Sequence, residues 1–307
     1  MLTRRSAVSL LAGCLTLAAA ALPAAAQSAD KLKVVATFSI LGDLVRNVGG
    51  DRLEVTTLVG PNGDAHVYSP TPADGRRLTE AKIVFTNGLN FEGWINRLVK
   101  SSGTKATKVE VAKGLKPLQG EEDGHGHDHG HGGSDPHAWQ SIGNAKIYVT
   151  NIRDALIAAD ATGKDTYETN ASAYLRQLDA LEAEVKSLVA SIPTERRRII
   201  TSHDAFRYFE AAYGIDFVSP QGVSTESEAS AKDVARIIQQ IRREKIAAVF
   251  VENVSDVRLM ERIAQETGAK IGSRVYSDAL SEPNGPAGTY IDMMRHNIRA
   301  FSAALSS

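Results

Sequence analysis

Eight histidines occur in this chain, and four of them, His125, His127, His129 and His131, alternate with Gly and Asp inside Glu121-Glu-Asp-Gly-His-Gly-His-Asp-His-Gly-His-Gly-Gly133. No apolar residue falls between Gln119 and Asp135. The tract therefore has nothing with which to build a core, yet it concentrates imidazole and carboxylate donors. The chemistry it offers is weak metal capture. Three further histidines, His66, His137 and His203, each fall at the edge of an expected structural element, where a rigid scaffold can hold a ligand. Asp278 takes the matching place beyond the last expected strand. Several imidazoles with one carboxylate suit Zn2+ best. Taken singly, each of these residues has an ordinary alternative: a solvated loop histidine, a helix cap, a turn aspartate. Three His and one Asp at four such positions, split evenly between the two halves, form a stronger joint signal.

The first 26 residues read as an export signal. Arg4-Arg5 is a charged start, Ala7 to Leu22 is apolar, and Ala24-Ala25-Ala26 offers a small-residue cleavage site before Gln27. The paired arginines suit either general or twin-arginine export. At 16 residues the apolar run is short for a membrane span. The expected location is the periplasm, with lipid anchoring through Cys14 in Leu11-Ala-Gly-Cys14 as the minor alternative. Cys14 is the sole cysteine, so the mature chain has neither a disulfide nor a thiolate ligand. Cleavage removes only Arg4 and Arg5 among charged residues, moving the net charge from −1 to −3. No basic field exists to attract nucleic acid.

The elements that must position these side chains form an α/β pattern of two lobes, each a parallel sheet flanked by helices. Strands are predicted near 33–38, 55–59, 82–86 and 108–111, with helices near 40–48, 74–80 and 91–100. The second half repeats the alternation, with strands near 198–201, 216–218, 247–251 and 270–275 and helices near 205–213, 230–243, 257–267 and 289–304. Ser230 to Asp233 has the spacing of a capping box, and Gly268 is a stop signal. From Asp165 to Ile192 apolar or small residues recur at three-four spacing without Gly, ended by Pro193. This predicts one long rigid helix joining an N-terminal lobe, 27–164, to a C-terminal lobe, 193–307, with the His-rich loop at 121–133. The stripe lacks a regular coiled-coil seam, so a monomer is expected.

At this point the residues resemble a known family. His66-Val-Tyr-Ser-Pro-Thr-Pro72, Asn87-Gly-Leu-Asn-Phe-Glu-Gly-Trp94, Asp135-Pro-His-Ala-Trp139, Ser202-His-Asp-Ala-Phe-Arg-Tyr208 with Tyr213-Gly214, and Asp278-Ala-Leu280 followed by Tyr290 and Met293 resemble, in order, the zinc- and manganese-binding solute-binding proteins of bacterial ABC transporters. The resemblance implies two lobes clamping one ion, with His66 and His137 from the first and His203 and Asp278 from the second. It further implies uptake through a permease with its ATPase. Histidine at position 203 and the His-rich loop resemble the zinc branch; manganese members tend to carry Glu there. Ser69 and Ala65 depart from common family residues, as does the lack of a second-lobe disulfide, and none of these is a proposed ligand.

Three imidazoles and one Asp close a tetrahedral zinc shell, which argues for carrying the ion and against catalysis, since hydrolytic zinc needs an open position. No His-Glu-x-x-His helix or nucleophile elbow occurs, so no enzyme is expected. Manganese or iron as cargo, and a zinc buffer uncoupled from transport, are the alternatives. Glu226, Glu228 and Glu252 are candidates for orienting the rings, with affinity expected to weaken as pH falls through about 6.5. The His-rich tract would raise the local zinc concentration beside His137 or accept zinc from a donor protein. Deleting residues 122–132 is expected to spare tight binding and slow loading at scarce metal or from a donor. Stopped-flow loading that is unchanged under both conditions contradicts a role for the tract.

Overall fold

Val34, Val35, Ala36 and Phe38 are buried along β1 (Leu32–Phe38), a near-continuous apolar run of the kind found in a central parallel strand. β1 pairs in parallel with β2 (Leu53–Val59) on one side and β3 (Ile83–Thr86) on the other. β4 (Thr107–Glu110) closes the order β2-β1-β3-β4 and is largely exposed, as an edge strand should be. The second lobe repeats the topology as β6 (Asp216–Val218), β5 (Arg198–Ile200), β7 (Ala248–Val249) and β8 (Lys270–Ile271), again all parallel. The computed structural model describes residues 30–119, 133–246 and 248–306; the leader, with Cys14, and His125, His127, His129 and His131 lie outside them. Among the described residues no helix is long and apolar enough to cross a membrane.

Helices α1 (Ser39–Gly49), α2 (Pro72–Glu80) and α3 (Ile95–Ser102) serve the first sheet, and α6 (Arg207–Tyr213), α7 (Ala231–Glu244), α8 (Val257–Thr267) and α9 (Tyr290–Leu305) the second. Between them α4 (Ile142–Ala159) leads into α5 (Lys164–Ala190), the long connecting helix, whose 27 residues span about 40 Å at 1.5 Å each. Its buried stripe, Tyr167, Ala171, Tyr174, Leu178, Leu181, Val185 and Val189, follows the three-four spacing. The helix packs against α1 and α4 and against α6 and α9. One large core cluster therefore runs from Val34 through this stripe to Leu305, and a smaller one fills the space under α7 and α8.

Several elements differ from expectation for local reasons. α4 was not predicted. Its buried residues Ile142, Ala145, Val149, Ile152 and Leu156 keep helical spacing, but Ile147 and Ile157 on other faces and a β-branched composition blur the stripe. α3 starts at Ile95 rather than near 91, because Leu89 and Asn90 take left-handed φ of 54° and 62° in a turn ahead of it. β7 and β8 are shorter than predicted. Pairing resumes past them as an isolated parallel bridge between Glu252 and Val275. Only half of the capping box at α7 forms. Ser230 Oγ accepts from Asp233 N at 3.2 Å, while the Asp233 carboxylate takes the Ser230 hydroxyl instead of its backbone N–H. Gly268 stops α8 at φ 76° as read, a conformation in which a side chain would be strained.

Candidate metal centre

Both sheets point their carboxyl-terminal strand ends into one crevice, the usual ligand position in such folds. His66 sits in the loop after β2, His137 opens a short 3-10 turn (Ala138–Gln140) ahead of α4, His203 follows β5, and Asp278 follows the Val275 bridge. The structure brings all four together, with one ligand atom from each lying within 4.8 Å of every other. His66 Nε2 is 3.2 Å from His137 Nε2 and 3.3 Å from Asp278 Oδ2. His203 Nε2 is 3.1 Å from Asp278 Oδ2, and His137 Nε2 is 3.6 Å from Asp278 Oδ1. A tetrahedral ion with bonds of 2.0–2.1 Å has ligand-to-ligand edges of about 3.3 Å. An octahedral ion with similar bonds has edges near 3 Å. The site therefore fits a single small cation of either geometry, and donor type must choose between them. His203 Nε2 and both Asp278 oxygens are buried with no hydrogen-bond partner among the described residues. Such atoms are costly to bury unless a cation or proton meets them.

Each ring is oriented from behind. Asp135 Oδ1 accepts from His137 Nδ1 at 2.8 Å and from His137 N at 2.9 Å. With the proton on Nδ1, Nε2 is left with its lone pair facing the cluster. Behind His203, Nδ1 lies 2.6 Å from Glu252 Oε2, an ion-pair approach whose angle falls outside hydrogen-bond geometry. Glu252 Oε1 meanwhile accepts Ser202 N and His203 N at 2.8 and 2.9 Å. Of the three glutamates read from sequence, Glu252 is buried at the ring, and Glu226 and Glu228 are exposed. His66 is held through its backbone: Asp64 Oδ1 accepts His66 N at 2.8 Å, and Trp94 Nε1 donates to Ala65 O at 2.8 Å. Asp64 Oδ2 also accepts the Thr225 hydroxyl of the second lobe at 2.6 Å, tying this loop across the cleft. The roles of Asp64, Trp94 and Asp135 escaped sequence reading; only the adjacency of Asp135 to His137 offered a signal.

Buried Glu92, whose carboxyl is pushed up by loss of solvent, accepts Asn87 N at 2.7 Å. The Asn87 amide in turn donates to Pro136 O at 2.9 Å, fixing the peptide before His137. Phe91 meets the His66 ring edge-on at 4.7 Å, and Trp139 lies 5.3 Å from the His137 ring. These aromatic walls keep water from one side of the site and strengthen charge interactions within it. His137, His203 and Asp278 are 0% exposed, and the His66 side chain is 5% exposed.

Two lobes closing on four convergent donors define a binding protein that clamps a small cation. Residues 34–304 match the family described as zinc-uptake complex component A, periplasmic, and the chain belongs to this family of metal-binding substrate-binding proteins of ABC transporters, which work with a permease and ATPase and are not enzymes. It is 36% identical over 280 residues to the manganese-binding lipoprotein MntA of Halalkalibacterium halodurans, covering 91% of this chain and 90% of that one. It is 33% identical over 287 residues to the manganese ABC transporter substrate-binding lipoprotein PsaA of Streptococcus pneumoniae, covering 91% and 90%. Among solved structures, the periplasmic zinc-binding protein TroA of Treponema pallidum aligns with a TM-score of 0.83 at 31% identity, over 90% of this chain and 99% of that one. The Mn-bound periplasmic metal-binding protein of Candidatus Liberibacter asiaticus gives 0.80 at 30% identity, over 90% and 100%.

Electrostatics revise the expected pH window. Burial alone would lower the His137 pKa, but Asp278 and Asp135 outweigh it and push it up to about 9. Burial likewise opposes the charge on His203, and Glu252 with Asp278 holds its pKa well above the ordinary value. Asp278 resists the upward push of burial because the His203 and His137 charges hold it well below the carboxylate range. The His137 proton therefore contributes stability that is fully present below 6.5 and lost as pH rises through about 9. A cation must displace these protons, so competition extends above the ordinary imidazole range. The gain in Tm from saturating Zn2+ is expected to be larger near pH 9 than near pH 6. Equal gains measured by differential scanning fluorimetry would contradict this coupling.

Proposed function

We propose that the chain captures one Zn2+ between its lobes through His66, His137, His203 and Asp278 and delivers it to an ABC permease for ATP-driven uptake. The observation that carries this reading is the donor set: three imidazole nitrogens and one buried carboxylate, one ligand atom from each lying within 4.8 Å of every other. Nitrogen-dominated sites favour zinc, whereas oxygen-rich ones favour manganese. Four protein donors would close the zinc shell, which suits carriage, and the opposed lobes give the permease a way to open it by tilting them apart. The His-rich tract supports the same cargo. Its described flanks, Gln119 and Ser134, pair as an antiparallel bridge next to Asp135, so the tract leaves and rejoins the fold beside His137. Arg207 of the second lobe donates to Gln119 O at 2.6 Å, and the Tyr208 hydroxyl donates to Asp135 O at 2.9 Å.

Manganese is the second reading, favoured by two observations. MntA and PsaA carry manganese in their names. Both Asp278 oxygens also face the cluster, which would allow the higher coordination number that hard ions take. Competition titrations decide the matter. Wild type is expected to bind one zinc tightly and to keep it against manganese, with His203→Ala and Asp278→Ala each weakening zinc by more than about 100-fold, since loss of an outer-shell partner alone costs 10–100-fold. Preference for manganese in wild type would overturn the zinc assignment, and unweakened variants would overturn the site.

The chain is read as exported to the periplasm, with the mature protein starting at Gln27. The lipoprotein names of MntA and PsaA favour the other route, in which Cys14 is lipidated. The intact mass of the protein from its native host separates the two: a start at Gln27 is expected, and an acylated Cys14 start would replace it.

A further inference from the structure

The carbonyl of Ser277, one residue before Asp278, accepts two hydrogen bonds from across the cleft. Trp139 Nε1 donates at 2.9 Å and Gln140 Nε2 at 2.8 Å. Both donors lie in the 3-10 turn that follows His137, and Trp139, Gln140 and Ser277 are all 0% exposed. The anchorage is reciprocal. The Tyr290 hydroxyl of α9 donates to Trp139 O at 2.6 Å. Asn297, also on α9, grips both backbone groups of Tyr276, accepting from its N–H at 3.0 Å and donating to its carbonyl at 2.7 Å. Segments carrying one donor from each lobe, His137 and Asp278, are thus joined by a carbonyl whose two lone pairs are both used.

We propose that Gln140 is a positioning residue whose bond to the Ser277 carbonyl latches the lobes together and sets the rate at which the bound ion leaves. The inference rests on the metal-carrying role proposed above. Trp139 has an independent reason to be buried here, because its ring packs against Phe38 at 5.1 Å and Phe91 at 4.9 Å. Gln140 has no such reason. Its Oε1 is buried without a hydrogen-bond partner among the described residues. Burying an unpartnered amide oxygen is costly, and an apolar side chain of similar size would avoid that cost. What the amide supplies, and an apolar residue would not, is the second donor to Ser277. The bond breaks when the lobes part and re-forms when they close, so it acts on escape of the ion. Neither bond of the latch involves His66, the donor that keeps some exposure, so capture of an incoming ion is expected to be unaffected.

The test is a zinc chase by stopped flow, with a chelator trap for dissociation and a fluorescent indicator for association, on wild type, Gln140→Met and Gln140→Leu. Both variants are expected to load one zinc per chain at the wild-type association rate and to release it about tenfold faster, which corresponds to about 1.4 kcal/mol. Trp139→Phe removes the other donor but also trims the indole that walls the site, so it is read for release alone, which is expected to quicken as well. A merely loosened fold would instead reduce the bound stoichiometry and slow association; that pattern, or release within twofold of wild type in both Gln140 variants, overturns the latch. Failure of wild type to hold zinc tightly counts against the zinc reading alone. The same chase run with Mn2+ then reads out the latch by the same criteria.

Discussion

A carboxylate with no exposure and, among the described residues, no hydrogen bond from a neutral donor is the constraint around which this molecule is arranged. Asp278 is buried among imidazoles, and an unbalanced buried charge would cost several kcal/mol. Positive charge must come to it, either as protons on His137 and His203 or as a cation in their place. Asp135 and Glu252 make that arrangement bidirectional: they stabilise the protonated rings and, once the protons leave, hold each ring so that Nε2 still faces inward.

That geometry needs a scaffold which does not drift, and the shared core supplies one. α5 and α9 bury side chains against elements of both lobes, so the two sheets are parts of a single packed body. The cleft-spanning bonds at Ser277, Asp64 and Leu280 N, which donates to Ser39 Oγ at 2.9 Å, then fix the small remaining freedom. Opening such a molecule means breaking a few polar bonds while the apolar strut stays intact, which suits a modest tilt.

Much of this was legible in the sequence because it depends on local pattern. The α5 stripe, the strand–helix alternation, the placement of His66 and His203 at strand ends and that of His137 at the edge of a helical segment follow from periodicity and turn chemistry. What was hidden depends on tertiary contact. Glu252 meets the backbone of His203 from 49 residues away, and although it directly follows a predicted strand, only burial showed that it and not Glu226 or Glu228 stands behind a ring. α4 was obscured by β-branched residues among its less buried positions, and β7 was overestimated because the apolar run continues through Phe250-Val251 past the point where the ladder is interrupted. Gln140 gave no local sign at all, since a glutamine is notable only when its surroundings are dry.

The unequal burial of the four donors has a consequence for hydrated ions. His66 alone keeps some exposure, so in the proposed site an arriving aquo-ion would exchange a first water for that imidazole while the rest of its hydration sphere is still in solvent. The remaining waters would then be shed in succession on the way to His137, His203 and Asp278. Dehydration would thus be divided into small steps, with no single barrier carrying the whole of it.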